Sequence, residues 1–344
     1  MSKPRLVSSQ TTQTKFRLAP ELLVKIHDLM VKARTLEERL IKMYKQNDGY
    51  FWIGGPGEES FNVPLGLLIK KGQGPKYDYF HGHYRSSAVL LAMGADPFDT
   101  IRQMKNTAND PYSGGRNFVN HQSIQKWNVC PISSPIEVQY SMAPGTAIAN
   151  KRAGGDGISI VVGGDAGTAE GDFATCLVWS SRPVNELPLL ICVTNNKWGI
   201  STSADTQHGD RCIADRGKAF GMRTMTFNGL DPEESYLKLK EAMDYVRTER
   251  KPLLLEAQVS RLYGHSSASG ANFIVNEEDP LKTFEARLES GGILSKNEIQ
   301  KIWDGYNEQM LNFARQAREE PQPDPESIWD HIYCGQKGRV DRYW

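Results

Sequence analysis

The sequence predicts an α/β fold whose central part is a doubly wound, mostly parallel sheet. Three apolar runs, each long enough for a buried strand, support this prediction: GISIVVGG, LPLLICV and PLLLEAQVS. Strands that are buried on both faces show such continuous apolar runs, whereas half-exposed strands alternate apolar and polar residues. Segments with helical patterns separate the runs, at 170–182 and 232–249. Strands that alternate with helices are typical of a parallel sheet with helices on both faces.

A helical extension precedes this central part. Apolar residues recur at helical spacing from residue 18 to residue 48, among them Leu22, Ile26 and Leu29, and the pattern ends at Gly49. This spacing predicts one long amphipathic helix, because residues three and four apart share a helix face.

The elements of the central part follow in a regular order. Strands and helices are predicted alternately, beginning with a strand, at 157–164, 170–182, 187–193, 213–220, 222–229, 232–249 and 252–260. The charged segment 281–320 predicts a C-terminal helical extension, and a proline-rich, acidic connector follows at 319–326. We therefore divide the chain into a flexible N-terminal tail at 1–17, one α/β domain at 18–325 and a C-terminal tail at 326–344.

The charge composition argues against nucleic acids and membrane surfaces as partners. The 344 residues include 41 basic and 41 acidic side chains, so the formal net charge is zero, and no long block of one sign occurs. Polyanion-binding proteins carry an excess of basic residues, often in one patch. We also expect no membrane span, because no apolar run approaches the length that a spanning helix needs.

The five cysteines favour a reducing compartment. They are scattered along the chain without a C-x-x-C pair, and two of them lie in apolar runs, where a buried free thiol is expected. We therefore expect a cytoplasmic protein, or one of the mitochondrial matrix if the source is a eukaryote. The basic, acid-free N-terminal stretch also allows a short transit peptide, but a flexible tail is the favoured interpretation.

The stretch VVGGDAGTAEGD at 161–172 is the first candidate for a functional site. It places one carboxylate, Asp165, among small residues at the point where a predicted strand leads into a helix. Ligands of open α/β sheets bind beyond the carboxyl ends of the strands, and small residues let the backbone approach a bulky anion. A carboxylate beside a phosphate requires a cation between them. The pattern therefore predicts a diphosphate that is bridged by a divalent metal such as magnesium.

A second oxygen ligand is predicted at the end of the next strand, where Asn195 and Asn196 follow an apolar run. Taken alone, Asp165 is typical of a turn or a helix cap, and an asparagine pair is typical of a turn. Their combination at the ends of two successive strands favours a shared metal and diphosphate site. A dinucleotide site is not favoured, because the glycines do not match G-x-G-x-x-G.

The stretch GGDAGTAEGD…TNNKWGIS resembles the thiamine-diphosphate motif of the alpha subunits of 2-oxoacid dehydrogenase complexes. Further motifs of that family occur in the expected order between residues 20 and 325, and they read GGPGEESFNVPLGLLIKKG, HYRSSAVLLAMGADP, ISSPIEVQ, IADRGKAFGM, YGHSSASG and EEDPLKTFEARL. The resemblance implies that the domain at 18–325 has the thiamin diphosphate-binding fold, of the type that binds the diphosphate and the metal.

The resemblance also implies which residues bind the metal and the cofactor. The implied magnesium ligands are Asp165, the side chain of Asn196 and the backbone carbonyl of Trp198. The residues implied in thiamine diphosphate binding are Tyr84, Arg85, Ser134, Ile136, Gly164, Asp165, Ala166, Gly167, Glu170, Asn196 and His265. Among them, an arginine suits the role because its planar fork binds phosphate oxygens in pairs.

Catalytic and substrate-binding residues are implied in the same way. His265 matches the catalytic histidine that the family carries on an active-site loop beside the diphosphate. Phe51 and Tyr84 match positions at the substrate pocket. Taken alone, a histidine in a loop rich in glycine and serine is only a weak indication of function.

The sequence departs from the family pattern at several positions. Ala166 stands where the family has a glycine, which adds a methyl group beside the diphosphate. Thr194 replaces an arginine that contacts phosphate in branched-chain relatives. Ser269 and Gly270 replace two aspartates whose hydrogen bonds order the loop. Val138 replaces a threonine that binds potassium in some relatives, so the resemblance does not extend to a potassium site.

The function implied by the resemblance is oxidative decarboxylation of a 2-oxoacid, followed by acyl transfer to a lipoyl group on the acyltransferase core component. The family's alpha subunit works with a beta subunit, in a heterotetramer with two copies of each. The stretch GGRNFVNHQ at 114–122 is more similar to branched-chain enzymes than to pyruvate and acetoin enzymes. A branched-chain substrate such as 2-oxoisovalerate is therefore favoured, and a pyruvate or acetoin dehydrogenase alpha subunit is the alternative.

A non-catalytic function is the alternative of another class. If the departures abolished the chemistry, the chain would be a non-catalytic, alpha-like scaffold subunit. The presence of Arg85, Asp165, Asn196 and His265 argues against this alternative, and a measurement of thiamine diphosphate binding distinguishes the two.

Overall fold

The computed structural model describes residues 15–330 together with Ile332. Residues 1–14 of the predicted N-terminal tail and most of the predicted C-terminal tail lie outside the described residues. The backbone N–H groups of Arg17 and Leu18 donate to the buried carboxylate of Glu233. Phe16 also packs against the hydrophobic cluster of the helical extensions, so the described chain contacts the body of the domain from residue 16 onward.

A parallel sheet forms the centre of the fold. Its strands are β1 (Tyr79–His81), β2 (Ser159–Gly164), β3 (Leu189–Asn195), β6 (Arg223–Asn228) and β7 (Leu253–Gln258). They are arranged in the order β1-β2-β3-β7-β6, and every neighbouring pair is parallel. Two short strands, β4 (Trp198–Gly199) and β5 (Thr202–Ser203), form a separate antiparallel hairpin shortly after β3.

Helices cover both faces of this sheet. The α-helices of the described chain are α1 (Pro20–Lys45), α2 (Glu59–Leu68), α3 (Ser87–Met93), α4 (Pro97–Lys105), α5 (Val138–Arg152), α6 (Gly171–Ser180), α7 (Pro232–Glu249), α8 (Pro280–Ser290) and α9 (Lys296–Glu319). Along β2, Val161 packs with the side chains of α5 and α6, whereas Ile160 and Val162 pack with α2, α3 and α7. Successive strand residues face opposite sides, so each side of the sheet has its own buried core. The predicted doubly wound α/β fold is confirmed.

A third hydrophobic cluster joins the two helical extensions. It contains Leu23, Ile26 and Met30 of α1, Phe284 of α8 and Met310 of α9. Helix α1 begins with Pro20 in its first turn. A proline is tolerated there because the N–H groups of the first turn have no acceptor within the helix. None of the described helices combines the length and the apolar character that a membrane-crossing helix needs.

Some predicted elements differ from the structure. The segment 213–220 is a 3-10 helix, Ile213–Phe220. The C-terminal segment 281–320 is helical, as predicted, and consists of two helices. The second of them restarts at Ser295, whose side chain forms a capping box with Glu298. Helices α2 and α5 were not predicted, and each contains an internal proline, at Pro64 and Pro144, which weakens the local helical signal.

Candidate active site

The carboxyl ends of β2 and β3 lie side by side. Gly164 of β2 pairs with Thr194 of β3, so Asp165 and Asn196 both come just after the last paired positions. The parallel pairing therefore brings the two residues to the same edge of the sheet, as the order of the predicted strands indicates.

Asp165 has the surroundings expected of a metal ligand. Its side chain is 1% exposed, and neither carboxylate oxygen has a hydrogen-bond partner among the described residues. Burial raises the pKa of Asp165, and the positive charge of nearby Arg85 opposes this rise. A buried carboxylate without partners is costly, so a cation bound here would stabilise it.

Asn196 and Trp198 provide further oxygen atoms close to Asp165. Asn196 is buried, and its Oδ1 accepts the backbone N–H of Trp198 at 3.0 Å. An amide oxygen has a second lone pair, which leaves it able to bind a cation. No cluster of three His, Cys, Asp or Glu side chains suited to a metal occurs in the described part of the chain. The predicted ligand set is of another kind: one carboxylate, one amide and a backbone carbonyl, all hard oxygen ligands of the kind that magnesium prefers.

Arg85 supplies the positive charge of the site. Its Nε donates to Oε1 of Glu58 at 2.7 Å, and both side chains are buried. Its Nη1 lies 3.4 Å from the phenol oxygen of Tyr84. A Cβ atom on Gly164 would lie 2.5 Å from Nη2 of the arginine, so the absence of a side chain at residue 164 makes room for the guanidinium. The guanidinium lines the cavity and is placed to bind an anion there.

Hydrogen bonds hold the segment that carries His265. Ser266 and Ser269 form a capping box around the 3-10 helix Ser267–Ser269. The N–H of Ser267 also donates to the carbonyl of Trp52 at 2.8 Å. Ser269, which departs from the family pattern, therefore supplies a local hydrogen bond of its own: its Oγ accepts the N–H of Ser266 at 3.0 Å.

The imidazole of His265 is neutral at neutral pH. Burial lowers its pKa to about 4, and the charges of Arg85 and Arg261 act in the same direction. Its Nε2 lies 3.4 Å from the phenol oxygen of Tyr84. A neutral imidazole can accept a hydrogen bond on one nitrogen and donate from the other, so His265 can orient a polar ligand without adding charge.

Aromatic and apolar side chains form another part of the site. The rings of Phe51 and Phe118 lie 5.0 Å apart, centroid to centroid. Ser134 is hydrogen-bonded through Oγ to Nε2 of His121, whose Nδ1 lies 3.0 Å from the carbonyl of Val119. Ile136 is 56% exposed and lines the open side. This part of the site suits an apolar group with a polar end.

These parts enclose one cavity of about 590 Å³, a volume within the range of cofactor sites. Of the residues implied in binding the metal, the cofactor or the substrate, Asn196 does not line the cavity and all the others do. The residues brought together are Phe51, Tyr84, Arg85, Ser134, Ile136, Gly164, Asp165, Ala166, Gly167, Glu170, Trp198 and His265.

Two departures from the family pattern have a simple structural account. Ala166 is the first residue of the 3-10 helix Ala166–Ala169, whose right-handed backbone accepts a side chain. The methyl group of Ala166 faces Gly199. Thr194 is buried, and its hydroxyl donates to the carbonyl of Gly163 at 3.3 Å. The threonine thus joins two strand ends and brings no positive charge to the cavity.

Sequence reasoning missed two buried carboxyl groups at the site, those of Glu58 and Glu137. Both lie inside motifs that were recognised, but a motif does not reveal that an acid is buried. Burial raises the pKa of Glu137 to about 8. Its Oε1 lies 4.0 Å from Nε2 of His83, which also lines the cavity and whose pKa burial lowers well below its usual value.

Comparison with known proteins gives a consistent result. Residues 27–326 match the model of the family described as dehydrogenase E1 component. The 2-oxoisovalerate dehydrogenase subunit alpha of Bacillus subtilis (strain 168) is 30% identical over 92% of this chain and 97% of its own length. The mitochondrial 2-oxoisovalerate dehydrogenase subunit alpha 2 of Arabidopsis thaliana is 26% identical over 92% of this chain and 67% of its own. The mitochondrial subunit alpha of Mus musculus is 25% identical over 92% and 72%.

Proposed function

This chain belongs to the dehydrogenase E1 component family, and we propose that it is the alpha subunit of a branched-chain 2-oxoacid dehydrogenase. In this function the chain binds thiamine diphosphate with magnesium, and the assembled enzyme decarboxylates a 2-oxoacid oxidatively and transfers the acyl group to a lipoyl group. The bound cofactor supplies a nucleophilic carbon and an electron-accepting ring.

The pair of partnerless oxygens on Asp165 is the observation that carries this proposal. They are buried at the carboxyl end of a parallel strand, where α/β folds bind their ligands. Magnesium held by Asp165, the Asn196 side chain and the Trp198 carbonyl would satisfy this charge and share its remaining positions with a diphosphate.

The other residues of the cavity have roles that their contacts support. Arg85 would bind diphosphate oxygens, because its side chain lines the cavity while Glu58 holds its Nε. His265, which is neutral in the cofactor-free protein and contacts Tyr84, would form a hydrogen bond with a polar group of the cofactor or the substrate. Tyr84, Ser134 and Ile136 surround the remainder of the cofactor, and together with Phe51 they exclude water from the reacting group.

A branched-chain substrate is proposed for two reasons. The relatives named above are 2-oxoisovalerate dehydrogenases. In addition, Phe51, which packs against Phe118, and Ile136 line the cavity and offer apolar contacts that a branched acyl chain fills better than the methyl group of pyruvate.

The partner proposed for the open side of the cavity is the beta subunit. Ile136, Trp198 and Ile200 line the cavity yet are about half exposed. Exposed apolar residues around a site mark a surface that another protein covers. We also propose a lipoyl acyltransferase core component as the acceptor of the acyl group, and a reducing compartment as the location. Cys130, Cys176, Cys192 and Cys212 are free thiols, which suits such a location.

Isothermal titration of thiamine diphosphate into this chain, co-expressed with its beta subunit, tests the proposal. Binding is expected to require magnesium and to disappear in Asp165→Ala. The matched control is Asp244→Ala, which removes an exposed aspartate on α7 and leaves binding unchanged. Turnover with 2-oxoisovalerate is expected to exceed turnover with pyruvate by about tenfold in kcat/KM, and the chain without its beta subunit is expected to give none.

Absence of thiamine diphosphate binding in a folded complex would overturn this function and favour a non-catalytic scaffold subunit. Binding that is independent of magnesium would overturn the metal site alone. Faster turnover with pyruvate would overturn the substrate preference and leave the site intact.

A further inference from the structure

Glu137 lies in an unusual position at the start of α5. Its backbone is in the left-handed region, with φ at 64° and ψ at 16°, which few residues other than glycine adopt. Its side chain is nevertheless 3% exposed and reaches the floor of the cavity. A strained backbone and a buried acid at one residue indicate that the surrounding structure fixes both.

The Glu137 carboxyl is hydrogen-bonded to the strand that leads to Asp165. Its Oε1 accepts the N–H of Gly164 at 3.2 Å. Its Oε2 accepts Nε2 of Gln139 at 3.0 Å, and the same amide also donates to the carbonyl of Val162 at 3.0 Å. The acid is thus tied to the end of β2, directly and through Gln139.

The turn after β2 curves around this carboxyl. A Cβ atom on Gly163 would lie 2.0 Å from Oε2 of Glu137, and one on Gly167 would lie 2.0 Å from Oε1. Both distances are far below van der Waals contact. The carboxyl therefore occupies the space of a side chain at Gly167 and, together with the ring of Tyr140, at Gly163, whereas Ala166 has room for its methyl group.

We propose that Glu137 is a positioning residue: its carboxyl is the template around which residues 163–167 fold, and it thereby sets the place of Asp165 and of the turn that lines the cavity. This inference deepens the proposed function and rests on it. Glu137 and Gly167 form a complementary pair, in which the side chain of one residue fills the space that the other leaves.

A double-mutant cycle tests the pair. Glu137→Ala removes the template, and we expect the dissociation constant for thiamine diphosphate with magnesium to rise about tenfold or more. Gly167→Ala forces a methyl group into the carboxyl and is expected to weaken binding to a similar degree. In the double variant the methyl group enters the space that Glu137 has vacated, so binding is expected to be tighter than in either single variant. Titration calorimetry of the complex with its beta subunit measures all four dissociation constants.

Three further measurements separate positioning from general stability. Gly171→Ala is the matched control, because a Cβ atom there meets no atom within 4 Å, and it should leave binding unchanged. Glu137→Gln keeps the shape of the side chain and can still accept the N–H of Gly164, although its NH2 group then faces Nε2 of Gln139, so its loss of affinity is expected to be smaller than that of Glu137→Ala. The Tm of the cofactor-free variants shows whether each one is folded at the temperature of the titration.

The outcomes are distinct. Additive effects of the two substitutions, or losses of affinity that follow only from unfolding, would overturn the role of Glu137 while wild-type binding upheld the proposed function. A wild-type complex that does not bind the cofactor would overturn both.

Discussion

Tyr84 lies edge-on to His265, with ring centroids 5.7 Å apart and the phenol oxygen 3.4 Å from Nε2. The two side chains come from segments 181 residues apart in the sequence. Because the imidazole is neutral, its orientation rather than its charge decides which groups it can bind, and the phenol contributes to that orientation.

Tyr84→Phe tests this contact, since it keeps the ring and removes the hydroxyl group. We expect kcat/KM for the 2-oxoacid to fall about tenfold, the value of one lost hydrogen bond in a buried site. The dissociation constant for thiamine diphosphate should change by less than about threefold, because Arg85 keeps its ion pair with Glu58. Steady-state kinetics and titration calorimetry measure the two effects. Tyr245→Phe on α7 is the control, and a parallel loss of cofactor affinity would contradict the assignment to His265.

Asp165→Asn is expected to stabilise the metal-free protein. The substitution removes a buried carboxylate whose two oxygens have no partner. A gain of about 1 kcal/mol in the free energy of unfolding corresponds to a Tm increase of about 1–2 °C for a chain of this length. The further increase of Tm that thiamine diphosphate with magnesium gives the wild type should disappear. Scanning calorimetry with and without both ligands tests this, and a lower Tm of the metal-free variant would show that the carboxylate has a stabilising partner.

Cofactor affinity is expected to fall as the pH rises above about 8. Burial raises the pKa of Glu137 to about 8, so its carboxyl is protonated below that pH and ionised above it. The ionised carboxyl adds a negative charge to a cavity that also holds Asp165 and Glu170 and receives a diphosphate. Titrations between pH 6.5 and 9.5 should show weaker binding at the alkaline end for the wild type and a flatter profile for Glu137→Gln. Identical profiles for the two proteins would assign the dependence to another group.

The same pKa has a consequence for stability. A carboxyl whose pKa is higher in the folded than in the unfolded protein binds protons more tightly when folded. The carboxyl therefore stabilises the folded protein fully at pH values below its pKa in the unfolded chain. This stabilisation is lost as the pH rises to its pKa in the folded protein. Glu137→Gln should accordingly reduce the decline of Tm of the cofactor-free protein between pH 5 and pH 8. An unchanged slope would indicate that Glu137 is already ionised in that range.

Glu37→Ala is expected to destabilise the part of the site that carries Phe51. The buried carboxylate of Glu37 accepts hydrogen bonds from Nε1 of Trp52 at 2.8 Å, from Oγ of Ser87 at 2.6 Å and from Nδ2 of Asn120 at 3.2 Å. Alanine leaves the donors of Trp52 and Ser87 without an acceptor, whereas Nδ2 of Asn120 keeps the carbonyl of Ile53 at 2.8 Å. The two lost acceptors should lower the free energy of unfolding by about 3 kcal/mol.

Denaturant titration with tryptophan fluorescence measures this loss, and Glu21→Ala on the exposed face of α1 serves as the control, with an expected change within about 0.5 kcal/mol. A loss below about 1 kcal/mol for Glu37→Ala would mean that water replaces the carboxylate.

The sequence by itself determined the order of the central strands and helices. Strands buried on both faces appear as continuous apolar runs, and helices appear as apolar residues spaced three and four apart. It also determined that Asp165 and Asn196 follow successive strands, and parallel strands bring such positions together. Helix α7, for example, has the predicted bounds, since Asp231 caps it and Pro232 occupies its first turn.

Only the tertiary structure decided which acids are buried and what the small residues accommodate. In the sequence, Glu58 and Glu137 are ordinary charged residues, and Gly167 is one of several glycines. Their roles arise from contacts between segments far apart in the chain: Arg85 against Glu58 and Gly164, and the carboxyl of Glu137 against Gly163 and Gly167. Such contacts depend on the packing of α5 against the sheet. The helix and strand propensities and the spacing of residues along the chain do not predict them.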